Sequence, residues 1–151
     1  MCVPGLGPVM MVAAMAAACG GEPAPEPAAG TATAVAAPQR AVVVTSPAEG
    51  EVVTGPAVTV RMEARGFTIV AAGDTTPDSG HLHLFLDRDL SPAGQPIPVE
   101  AGHIVHMGTG ASEYAFDAVD PGEHVLIAVV GDALHVPLQP WIVDTVRFTV
   151  R

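Results

Sequence analysis

The chain has 151 residues, with 16 acidic against 6 basic side chains and a formal net charge of −10. Nucleic-acid binding needs clustered Lys and Arg, so this balance excludes nucleic acid as a partner. Gly and Pro together supply 31 residues and aromatics only 4 %, which argues against long helices and for a small, aliphatic, mostly β core.

Val9 to Ala18 is an apolar run of small residues ending at Cys19. It is shorter than the roughly 20 apolar residues that span a bilayer. It has the character of a secretory h-region, so residues 1–18 are expected to be a signal peptide. Ala16-Ala17-Ala18-Cys19 resembles a bacterial lipoprotein cleavage site, which would leave Cys19 as the lipidated first residue. Simple secretion and an uncleaved anchor are the alternatives. The favoured reading places the protein in the bacterial cell envelope, periplasmic or extracellular, membrane-anchored through Cys19. Cleavage there removes Cys2, so the folded part would hold no disulfide and no thiolate ligand.

Residues 19–39 are Pro, Ala, Thr and Glu without apolar periodicity, the composition of a disordered tether. The folded domain is expected over 40–151, about 110 residues, a size that suits a two-sheet sandwich. Strands are expected at Ala41–Thr45, at Ala57–Glu63 with Val58, Val60 and Met62 on one side, and at Phe67–Val70. Further strands follow at His81–Asp87, at Ser112–Phe116 and at Glu123–Val130, which is the most apolar and therefore central. Thr145–Val150 closes the domain with Val146, Phe148 and Val150 inward. About seven strands separated by Pro/Gly turns predict an all-β, immunoglobulin-like β-sandwich.

Chemistry is concentrated in the histidines. In His81-Leu82-His83-Leu84-Phe85-Leu86-Asp87, alternation puts the three leucines on the core face and His81, His83, Phe85 and Asp87 on the other. Two imidazoles two residues apart on a strand, about 6.5–7 Å along the chain, can lean toward one ion. His103 and His106 point to opposite faces of an extended chain, so one of them is expected to join such a site. His135 lies in the loop after the central strand. His124, beside the Pro121-Gly122 turn, is expected to cap or pack, and Met107 to be core. No phosphate-binding glycine loop and no nucleophile elbow is present. Asp87, Asp89 and Glu100 lack the density of a Ca²⁺ loop.

Gly80-His81-Leu82-His83-Leu84-Phe85-Leu86-Asp87 stands first in a longer pattern. His106-Met107-Gly108-Thr109-Gly110, Pro121-Gly122-Glu123-His124 and Gly131-Asp132-Ala133-Leu134-His135-Val136-Pro137 follow it in the chain. Together, over about Thr45 to Val150, they resemble the bacterial domain-of-unknown-function 4399 family. The resemblance implies a secreted or lipid-anchored envelope domain with a β-sandwich fold and no established activity. Two family histidines are replaced here, by Leu82 and Leu138.

These readings converge on a metal site of His81, His83, His106 and His135, with Asp87 and Asp132 as carboxylates orienting an imidazole. An all-nitrogen site suits Cu²⁺ or Zn²⁺. No general base with a clear partner is readable, so binding is favoured over catalysis. The competing expectation is a metal-free interaction module that presents 73–80 and 131–140, with Trp141 and Phe85, to an envelope protein or glycan.

Overall fold

The computed structural model describes residues 39–151. The expected signal peptide, the lipidation site at Cys19 and nearly all of the 19–39 tether lie outside the described residues. Nine strands and no helix make up the described part: β1 (Ala41–Ser46), β2 (Glu51–Val53), β3 (Val58–Arg65), β4 (Thr68–Ile69), β5 (Ser79–Leu86), β6 (Ile104–Met107), β7 (Glu113–Phe116), β8 (Gly122–Gly131) and β9 (Val143–Val150).

The strands form two sheets in a sandwich-like arrangement. The smaller has the order β1-β3-β7; the larger runs β2-β9-β8-β5-β4, with β6 also paired to β5. Most pairs are antiparallel, but β2 runs parallel to β9 and β4 parallel to β5. Two short strands exceed the sequence reading. β2 is three residues long and mostly exposed, so it carries no alternating pattern to read. Gly50, at φ 74, supplies the left-handed residue of the turn that delivers it.

The main core lies between the sheets. Val42, Val58, Val60 and Met62 come from the small sheet, and Leu82, Leu84, Leu126 and Phe148 from the large one. Full burial of each such side chain contributes about 1.5–3 kcal/mol. Asp144 of β9 ties the sheets further by accepting the Val44 N–H at 2.8 Å.

β5 is buried on both faces. Its leucines fill the main core. Its other face carries Phe85, which packs with Ile97, Ile104 and Val129 under the 90–104 segment in a second, smaller cluster. Phe85 is 0 % exposed, which corrects its expected role as a surface contact residue. Trp141 keeps an exposed edge, at 37 %. The doubly covered strand is the setting for the histidines, because whatever β5 presents outward is also taken out of water.

Candidate metal centre

Register assembles the site. In the β5–β6 pairing His83 stands opposite His106, and Leu82 opposite Met107. Side chains opposite each other share a face, so His106 joins His81 and His83 on the outer face while Met107 enters the main core. His103 does not join; its Nδ1 lies 3.1 Å from the Leu86 carbonyl. The structure thus selects His106 from the two candidates.

His135 arrives from the opposite side. The β8 strand ends at Gly131, and Asp132 opens a tight loop by accepting the Leu134 and Val136 N–H groups on Oδ1 at 2.8 and 2.9 Å. The His135 N–H also donates to the Asp132 carbonyl at 2.9 Å. These bonds hold His135 at φ 65, an unfavourable conformation for a residue with a Cβ. A Gly131–Pro137 bridge closes the loop. The imidazole is thereby turned onto the β5 histidines.

The four rings meet. His81 and His83 Nε2 are 3.0 Å apart, and His106 and His135 Nε2 are 3.1 Å apart. Ligand nitrogens of His81, His83 and His106 all lie within 4.8 Å of one another, close enough for one ion. His81 and His83 are 1 % and 0 % exposed, while His106 and His135 are half-buried. The cluster therefore has a buried floor and a solvent-facing rim.

The electrostatics keep the rings of His81, His83 and His106 neutral. Burial, followed by the neighbouring His106 and His135, pushes His81 down to about 4. Burial, followed by His81, His106 and His135, pushes His83 down to about 3. Burial and His135 lower His106 as well. Near neutral pH these rings are neutral and carry lone pairs. A neutral imidazole has one donor and one acceptor nitrogen, so each facing Nε2 pair can share a single proton. Nδ1 of both His81 and His83 is buried with no hydrogen-bond partner. Such arrangements cost stability unless something else uses the lone pairs. A cation among the rings would take the Nε2 lone pairs that face one another and leave the buried Nδ1 atoms as the proton-bearing positions.

Two glycines make the space and were not singled out by sequence reasoning. A Cβ at Gly108 would lie 2.7 Å from His106 Cε1, and one at Gly131 would lie 3.0 Å from His83 Nε2. The available signal was their position: Gly108 two residues beyond His106, and Gly131 at the end of the strand facing His81.

The expected carboxylates are placed differently from one another. Asp132 shapes the His135 loop through backbone bonds, and its charge acts on His81. Asp87 instead meets His124, accepting from Nδ1 at 2.7 Å and from the Val125 N–H at 2.9 Å. It orients an imidazole, but not one of the cluster. His124 Nε2 reaches the Asp120 carbonyl at 2.8 Å, and its ring packs on Phe148, the capping and packing role expected of it. Glu100 is taken by Arg88.

A comparison with curated proteins gives no match. Among solved structures, an engineered protein crystallised at 1.98 Å is similar at a TM-score of 0.42 and 13 % identity, covering 75 % of this chain and 20 % of that one. This chain therefore corresponds to only about a fifth of that protein's length. The family model described as "Domain of unknown function (DUF4399)" matches residues 60–151, a span that holds all four clustered histidines and both glycines. The chain belongs to that family.

Proposed function

We propose that this protein binds a divalent transition metal, copper or zinc, through His81, His83, His106 and His135, as a non-catalytic domain anchored in the cell envelope. The observation that carries the reading is the convergence of ring nitrogens of His81, His83 and His106 within 4.8 Å of one another, with His135 Nε2 3.1 Å from His106 Nε2, from three separate segments. Ordinary surface histidines do not gather with their ring nitrogens facing one another across 3.0 Å. No thiolate stands among the described residues, so the donor set is nitrogen alone, suited to zinc and copper rather than to hard cations. The small-residue run before Cys19 supports lipid anchoring of the domain at the membrane surface.

Thermal unfolding of the full chain during titration with Zn²⁺ or Cu²⁺ tests this. Binding to the folded state alone adds about 2.7 kcal/mol at a free metal concentration of 100 Kd. Tm is expected to rise and to keep rising with free metal. An unchanged Tm at saturating concentrations of both ions contradicts the proposal.

A further inference from the structure

The arrangement of the rings says more than that a metal fits. All six pairs of ring centres are known. His81 lies 4.7 Å from His83, 5.0 Å from His106 and 4.9 Å from His135. His83 lies 5.1 Å from His106 and 5.7 Å from His135, and His106 lies 4.5 Å from His135. The six edges run from 4.5 to 5.7 Å, the spacing of an irregular tetrahedron whose base is His81, His83 and His106, with their nitrogens within 4.8 Å of one another, and whose apex, His135, meets the base through His106 at 3.1 Å. An imidazole bound at about 2.0–2.1 Å has its centre about 3.2 Å from the ion, so tetrahedral centres lie about 5.2 Å apart. A square plane with the same bond length sets four pairs near about 4.5 Å and two across the diagonals near about 6.4 Å. The longest observed separation is 5.7 Å, so no pair is diagonal.

From this we infer that the four histidines form a coordinatively closed, tetrahedral site selective for a d¹⁰ ion, Zn²⁺ or Cu⁺, over Cu²⁺. The inference rests on the metal-binding reading above and narrows it. Cu²⁺ prefers square-planar or tetragonal ligand sets, whereas Zn²⁺ has no geometric preference from its d electrons. At an unconstrained nitrogen site Cu²⁺ binds more tightly than Zn²⁺. Flattening this site would mean moving His81 and His83 from a doubly covered strand, or His135 from a loop held by Asp132. The rigid floor therefore opposes the Cu²⁺ geometry. With four protein ligands no position is left for water or substrate, the condition of a holding site rather than a hydrolytic one.

The test uses the full chain with Cys2→Ser and Cys19→Ser, so that no thiol competes. Co²⁺ serves as the spectroscopic probe, because tetrahedral Co²⁺ absorbs visible light far more strongly than octahedral Co²⁺. Intense visible bands at one equivalent, discharged by one equivalent of Zn²⁺, are expected. Competition titrations should show Zn²⁺ held at least as tightly as Cu²⁺. Cu⁺, added anaerobically from a chelator of known affinity, should occupy the same single site and displace Co²⁺. His135→Ala should weaken Zn²⁺ binding at least tenfold and alter the Co²⁺ spectrum by admitting water. A pale octahedral Co²⁺ spectrum, or Cu²⁺ bound more tightly than Zn²⁺ with a tetragonal signal, overturns the geometry while leaving metal binding intact. An unaltered spectrum in His135→Ala overturns the closed four-histidine site. Failure of every ion to bind overturns the metal-binding reading itself.

Discussion

Replacing His83 with leucine separates the interests of the site from those of the fold. His83 is buried, its Nδ1 has no partner, and its Nε2 faces only another imidazole. A buried polar atom left unpaired costs about 1–3 kcal/mol. Leucine has a similar volume and no polar atom, and Phe85, next along the same face of β5, is already fully buried. In the presence of a chelator, His83→Leu relieves that cost but leaves His81 Nε2 without its partner, so the variant is expected to exceed the parent by about 0–2 kcal/mol. For a domain of this size that corresponds to a Tm up to about 8 °C higher. The gain should grow in acid. The unfolded ring takes up a proton below about pH 6.5, whereas the folded ring resists it down to about 3. Across that window the parent loses about 1.4 kcal/mol per pH unit more than the variant, because the variant lacks this ring. Scanning calorimetry of both proteins at pH 7 and about pH 5, with and without zinc, reads all of this. The variant should melt at least as high without metal, diverge further in acid, and show a much smaller rise with zinc. A His83→Leu protein that melts well below the metal-free parent would refute the reasoning, since His83 would then be a packing residue whose polar atoms cost nothing.

Three other substitutions probe the surroundings of the site. Gly108→Ala puts a methyl group 2.7 Å from His106 Cε1; the half-buried ring should swing outward, weakening metal binding by about 10–100-fold while Tm without metal barely changes, as calorimetric titration and thermal melts would show. Asp132→Ala removes two hydrogen bonds that hold His135 at φ 65; metal affinity should fall by a similar 10–100 fold, and amide exchange over 131–137 should quicken. At His124, burial lowers the pKa, but the Asp87 and Asp120 contacts outweigh it and the folded value is raised. The protonated ring then contributes stability that is complete below about pH 6.5 and disappears as pH rises through the folded value. The Tm deficit of His124→Gln should accordingly be larger at about pH 5.5 than at about pH 8.5; a deficit independent of pH would mean that the His124–Asp87 pair is neutral packing.

Periodicity made much of this architecture readable. Leu82, Leu84 and Leu86 alternate so regularly that the strand and its core face follow at once, and Val146, Phe148 and Val150 behave alike. The histidines on the opposite face follow from the same alternation. Its limits are equally physical. Alternation does not tell whether the outer face of a strand meets water or another segment. The burial of Phe85 depends on Ile97, in a stretch with little regular structure, and on Ile104, at the start of the short strand β6. The choice between His103 and His106 is a matter of pairing register, set by residues on a different strand. Asp87 shares a face with His81 and His83 on an ideal strand, but the chain leaves the strand at Leu86 and Asp87 adopts φ 54. That turn carries its carboxylate to His124. Gly108 and Gly131 stand in the family pattern, but their role beside the rings depends on the space a Cβ would fill, which only the packed rings reveal.

X-ray absorption at the zinc edge of the full chain loaded with one equivalent of Zn²⁺ bears most directly on the convergence of the four imidazoles. A single shell of four imidazole nitrogens at about 2.0–2.1 Å is the predicted result. A shell dominated by water or carboxylate oxygen, or a chain that retains no stoichiometric zinc, would contradict it.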